Sequence, residues 1–165
     1  MKTTKNKSLA FSLIELVIVV LILGIVATVA LISMKNSSMH ARRKAAKTSL
    51  QILRNAIDRY YCEHRWTYPG ARTDGMGNPA LSNQAFINQL TLYSDINGRC
   101  SKDKDPLFPF GPYIQGKIPR LPLGKNAGRN SVRVKDQDTS LAAEVNSGDG
   151  WVYNPRTGEI IPNSE

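Results

Sequence analysis

Phe11-Ser12-Leu13-Ile14-Glu15-Leu16-Val17-Ile18-Val19-Val20-Leu21-Ile22-Leu23-Gly24-Ile25-Val26-Ala27-Thr28-Val29-Ala30-Leu31-Ile32-Ser33-Met34 is a run of 24 residues with one charge, Glu15, and no proline. As a helix it extends roughly 36 Å, enough to cross the ~30 Å hydrocarbon core of a bilayer. The run therefore predicts a membrane-spanning helix over 11–34. It follows a leader, 1–10, that holds Lys2, Lys5 and Lys7. A basic start before an apolar run is also the layout of a secretory signal peptide, but three features argue otherwise. The run exceeds the ~7–15-residue core of such signals. No clean small-x-small site follows it, Ala27-Thr28-Val29-Ala30 being the nearest approach. Glu15 lies five residues into the run, where an unpaired charge costs about 2.5–3.5 kcal/mol on insertion.

The chain has 165 residues, 41% of them hydrophobic and 21% charged, which excludes wholesale disorder. Its net charge of +9 is unevenly placed. Residues 35–65 hold Lys35, Arg42, Arg43, Lys44, Lys47, Arg54, Arg59 and Arg65 against Asp58 and Glu63, a net of +6. Beyond them, eleven basic and ten acidic groups leave +1. The distal region is nearly neutral, so the charge does not mark it as a nucleic-acid-binding domain, and no nucleic-acid partner is expected. The basic stretch can meet lipid head groups, an acidic neighbouring subunit or DNA, or lie as a solvated face.

No proline or glycine interrupts 35–67, and Ala46, Leu50, Leu53, Ile57 and Tyr60 recur at spacings of four, three, four and three, one apolar helix face. Arg43, Lys47, Arg54 and Asp58 fall opposite. The pattern predicts an amphipathic helix over 35–67 continuing the apolar one, on the order of 80 Å in all. Tyr68-Pro69-Gly70 is its expected stop. In the remainder, 68–165, Gly70–Ala80 reads as a loop, and Ser82 as the N-cap of a short helix. Prolines at 106, 109, 112, 119 and 122 predict an irregular wrap. Gly150–Tyr153 and Glu159–Ile161, joined by Asn154–Gly158, predict a β-hairpin, with Val132–Val134 as a further strand. The expected fold class is α+β: a long N-terminal helix packed on a small C-terminal antiparallel sheet.

Something must compensate Glu15. A cut between Ala10 and Phe11 would give Phe11 an α-amino group able to pair with that carboxylate, in the same chain or a neighbour, a device that fixes register more than it stabilises. A carboxylate that snorkels to the membrane edge is the other reading. Ala10-Phe11-Ser12-Leu13-Ile14-Glu15-Leu16 resembles the processing site of type IV prepilins and type II secretion pseudopilins, usually written G-F-T-L-I-E, and the likeness continues through Gly24 and Ala27. The resemblance implies cleavage of the leader after Ala10 by prepilin peptidase, N-methylation of Phe11, and a role for Glu15 in docking incoming subunits. Ala10 replaces the usual glycine, Ser12 the common threonine, and Ile32 stands where a proline is often found, so a straighter helix is expected there. Basic residues flank both ends of the run, so charge does not orient it. The resemblance implies a single-pass inner-membrane protein with a cytoplasmic N-terminus and a periplasmic bulk.

Gly111-Pro112-Tyr113-Ile114, Ile118-Pro119-Arg120-Leu121-Pro122 and Gly150-Trp151-Val152-Tyr153-Asn154-Pro155 resemble major-type pseudopilins. What this implies is a structural subunit, not an enzyme: a homo-oligomeric helical filament in the periplasm that drives protein export, with an inner-membrane assembly platform and minor pseudopilins as partners. A type IV pilus subunit for adhesion, motility or DNA uptake, and a simple single-span periplasmic protein, are the alternatives.

Cys62 and Cys100, in an oxidising compartment, can form a disulfide closing 37 intervening residues or remain two buried thiols. Zinc held by Cys62, His64 and Cys100 lacks a fourth ligand. Asp136, Asp138, Glu144 and Asp149 precede the hairpin, and Ca2+ is the cofactor that oxygen-rich loops such as this can hold. The resemblance raises Asp136, Asp138 and Asp149 as its ligands, although their spacing fits no EF-hand and solvated carboxylates are common. Trp151 and Tyr153 are expected to pack on the helix face. No nucleophile elbow, phosphate loop or zinc-protease motif occurs.

Overall fold

A sequence without proline, and without glycine after Gly24, sustains helix α1 over Leu13–Glu63, 51 residues. The computed structural model describes residues 12–164, and within α1 the side chains of 13–28 and 37–63. The chain divides into two units, the first ending at Ala41 and the second running Arg42–Glu165. The second half of α1 thus belongs to the distal unit.

In that unit the expected face is buried. Ala46, Leu53, Ile57 and Tyr60 are inaccessible and Leu50 is half-buried, while Arg43, Lys47, Arg54 and Asp58 are exposed. Ala56 and His64 extend the face. Helix α1 stops five residues before Tyr68-Pro69-Gly70. Its last turn closes with a bond from Trp66 N to the Tyr61 carbonyl (3.1 Å), the six-to-one bond of a Schellman cap. Arg65 (φ 53) and Trp66 (φ 57) take the left-handed conformation usually left to glycine, at a cost of roughly 1–2 kcal/mol each. Burial of the His64 ring and stacking of Tyr61 on Tyr68 (4.1 Å) offset that cost.

Helix α2, Asn83–Thr91, starts as expected, Ser82 Oγ accepting from Ala85 N at 3.1 Å. Strands β1, Tyr93–Ser94, and β2, Cys100–Ser101, form a small antiparallel pair that periodicity misses. Its signal is the Asn97-Gly98 dipeptide, a hairpin turn in which Gly98 takes φ 86. A Cβ on Gly98 would lie 2.6 Å from the Tyr60 hydroxyl, so the turn also needs glycine for space. The proline-rich stretch contributes only isolated bridges. Strands β4, Trp151–Tyr153, and β5, Ile160–Pro162, form the expected antiparallel hairpin. Strand β3, Val132–Val134, pairs with β4 in parallel, so this sheet is mixed rather than antiparallel. The segment between β3 and β4 passes through a short 3-10 turn, Val145–Ser147, and is long enough to carry the chain back to the same end of the sheet.

Leu53, Ala56, Ile57 and Tyr60 of α1 share one core with Phe86 and Leu90 of α2, Ile114, Ile118 and Leu121 of the wrap, and Val132, Trp151, Tyr153 and Ile160 of the sheet. Trp151 and Tyr153 therefore pack as expected. Their polar tips are satisfied, Trp151 Nε1 donating to the Pro119 carbonyl (2.8 Å) and Tyr153 OH to the Pro69 carbonyl (2.9 Å).

His64 sits inside this core, parallel to the Tyr60 ring at 3.7 Å, with Nδ1 2.9 Å from the Tyr60 carbonyl and Nε2 3.1 Å from Ser94 Oγ. Burial lowers its pKa below the usual 6.5, outweighing the Tyr60 carbonyl and the Glu63 and Asp95 carboxylates, which act to raise it. The folded protein thus holds this proton more weakly than the unfolded chain. Stability should fall as pH drops below about 6.5, before Asp74 and Asp95 begin to titrate. Burial works against those two carboxylates, but their hydrogen bonds keep both below 3.8. Denaturant melts of the full chain in detergent between pH 7 and 4.5 should show this slope, and His64→Gln should flatten it. A wild-type profile flat over that range would refute the assignment.

Candidate functional site

Glu15 stands in the first turn of α1, where the Ser12 carbonyl accepts from Glu15 N (3.1 Å) and Leu16 N (3.2 Å). Ser12-x-x-Glu15 has the spacing of a capping box, a helix-start signal that a reading for membrane span passes over. A carboxylate here also faces the positive end of the helix dipole. Ala10 and Phe11 lie outside the described residues, and so does the expected pairing of Phe11 with Glu15.

Apolar side chains from Leu13 to Val26 are exposed on every side of the helix, at 47–81%. Leaving them in water would cost on the order of tens of kcal/mol, so lipid or protein must cover them. Among the described residues no helix is long and apolar enough to cross a membrane. The described apolar side chains, Leu13 to Thr28, span only ~24 Å, and the rest of the expected span 11–34 lies outside them.

Beyond the apolar stretch the helix is basic. Arg42, Arg43, Lys44 and Lys47 are exposed, and among the described residues none of them joins an ion pair. Arg43 and Lys47, one turn apart, flank a cavity of about 240 Å³ floored by Ala46, Leu50, Leu123 and Pro162.

Cys62 and Cys100 do not bridge; both are free, Cys62 exposed and Cys100 buried. Cys62 lies off the buried face of α1, whereas the Cys100 thiol is turned inward, 3.6 Å from the Gly98 carbonyl. Burial, with Asp74 and Asp95 nearby, pushes the Cys100 pKa up to about 12. His64, the third residue of the zinc set, has both ring nitrogens engaged within the core.

The calcium set does not fit an ion either. Asp136 and Asp138 are drawn to Arg156, which holds the Asp136 carboxyl below its usual range. Asp149 is bound by Arg133 at 2.9 Å, and Glu144 pairs with Lys135. The carboxylates form two separate clusters, each holding a cation that would repel a metal. Among the described residues no group of three or more His, Cys, Asp or Glu could hold one.

Residues 5–31 match the family model described as the Prokaryotic N-terminal methylation motif. The match takes in Ala10, Phe11 and Glu15 and gives the chain a type IV pilin-like N-terminal signal, one common to pilins and pseudopilins. No similar curated protein and no similar solved structure was found.

The cysteine assignment predicts unequal reactivity. In the folded chain, without reductant, a maleimide should modify Cys62 fully while Cys100 reacts only after denaturation, as peptide mass spectrometry can read. Protection of both until a reductant is added would restore the disulfide.

Proposed function

We propose that this chain is a structural subunit of a periplasmic type II secretion pseudopilus, inserted in the inner membrane through residues 11–34 and polymerised to drive protein export. The observation that carries the filament reading is the methylation motif over residues 5–31, set on a helix whose apolar side chains are exposed on every side. Prepilin peptidase removes 1–10, and Phe11 becomes the methylated N-terminus. Held first by lipid, the apolar half of α1 passes to contacts with other subunits as an assembly platform extracts it. The likeness of Gly111–Ile114, Ile118–Pro122 and Gly150–Pro155 to major pseudopilins supports the secretion assignment, and the near-neutral distal region fits it.

Glu15 supplies register by meeting the amino group of Phe11 in a neighbouring subunit, a role for which a buried charge pair is well suited. Glu15→Ala should leave cleavage after Ala10 largely intact, with Phe11 methylated in the N-terminal peptide, and reduce assembled filament severalfold. Normal filament yield from that variant would defeat the assigned role.

Deleting the chain distinguishes secretion from adhesion. Loss of specific folded exoproteins with surface pili unchanged is the expected result. Loss of pili, motility or transformation with secretion intact would make the chain a pilin. An N-terminal peptide that begins at Met1 or Lys2 would remove it from both classes.

A further inference from the structure

Two features of the distal unit are complementary, and neither is used by the fold. One is the apolar cavity of about 240 Å³ between α1, Leu123 and Pro162. Arg43 and Lys47 are among the residues that line it, and both are exposed. The other is the turn before Phe108. There Leu107 is 76% exposed, and its N–H is bonded to Asp105 Oδ1 at 2.8 Å. Phe108 N closes the turn on the Asp105 carbonyl at 2.8 Å. The turn therefore presents a leucine at a fixed tip with an exposed carboxylate against it. Asp103 and the lysines Lys102 and Lys104 lie just before.

Charge selects between the candidate knobs. Trp66 is almost as exposed, at 70%, but Arg65 is its neighbour, and Arg59 lies on the preceding turns of α1. Bringing it to the cavity would set guanidinium against Arg43 and Lys47. Leu107 brings Asp105 instead. Resting on the filament reading above, we propose that the Asp105–Leu107 turn of one copy of this chain docks in the Arg43–Lys47 cavity of a second copy. Leu107 fills the apolar floor while Asp105 meets the two cations. Because knob and hole are different patches, the contact is heterologous. Each copy keeps one free knob and one free hole, so the association propagates along a polymer instead of closing as a dimer.

Cysteine cross-linking of the full chain in membranes tests this in a Cys62→Ser background. Leu107→Cys with Lys47→Cys should give a ladder of dimers, trimers and higher species under mild oxidation, and either substitution alone should not. Asp105→Lys should cut filament yield about tenfold, and Lys47→Asp added to it should restore most of that loss. Asp105→Lys also removes the carboxylate that accepts from Leu107 N, so Asp105→Asn, which keeps an acceptor there, should lower filament yield as well if the charge is what matters. Leu16→Cys with Val20→Cys, in the apolar part of α1, serves as the control for assembly. A control ladder without a Leu107–Lys47 ladder overturns the docking and leaves the filament reading standing. No ladder from either pair overturns both. Leu107–Lys47 products that stop at dimers overturn the propagating contact, and so does failure of the charge swap to rescue.

Discussion

Burying the Leu53–Ala56–Ile57–Tyr60 face of α1 is the constraint around which the distal unit is organised. The strands there are only two or three residues long, far too short to stand alone. They persist because α1 gives them a rigid apolar surface on which to close. Tyr60 illustrates the tightness: its hydroxyl lies where a Cβ on Gly98 would fall, its ring stacks on His64, and Tyr113 meets it edge-on at 5.6 Å. Tyr113 in turn donates to Glu63 at 2.5 Å, so the proline-rich wrap is tied to the last turn of the helix.

With so little regular structure, side-chain amides do what strand ladders do elsewhere. Buried Gln89 accepts from Gly70 N at 2.6 Å and donates to the Gly98 carbonyl at 2.9 Å, joining two loops through α2. Asn163 donates to the Glu144 and Asp149 carbonyls, and Asn126 to those of Val145 and Asn163. Each satisfied amide removes backbone groups that burial would otherwise penalise at about 1–3 kcal/mol apiece. Among the described residues, no buried side-chain nitrogen or oxygen lacks a partner.

These two kinds of restraint differ in how visible they are in sequence. Local signals gave correct elements: the three-and-four spacing from Ala46 to Tyr60, Ser82 before α2, and Asn154–Gly158 between β4 and β5. What depends on distant partners was not legible. Val132–Val134 reads as a strand, but nothing local says that it runs parallel to β4. The buried role of Gln89 looks like any polar helix position. Cys62 and Cys100 differ only in which way each faces, and that is set by the helix stripe on one side and the Asn97-Gly98 turn on the other. Asp136, Asp138 and Asp149 are close in sequence, but Arg133 and Arg156 reach across the sheet to divide them. At the N-terminus the motif was legible in full, because its chemistry is contained in consecutive residues.

Helix α1 itself implies company. Between Glu15 and Asp58 it carries no acidic residue, while Arg42, Arg43, Lys44, Lys47 and Arg54 follow one another within thirteen positions. Parallel copies packed side by side in register would place these cations against one another, and at such distances salt screens only part of the repulsion. Apart from Glu15, the apolar half carries no charge that would prefer one register of parallel packing over another. In the filament proposed above, register would come from the single carboxylate at Glu15 and from whatever anionic surface a staggered neighbour brings to the basic turns. A helix with a single charge in its first half and many in its second could, in such a filament, leave lipid for protein and still accept one stagger over others.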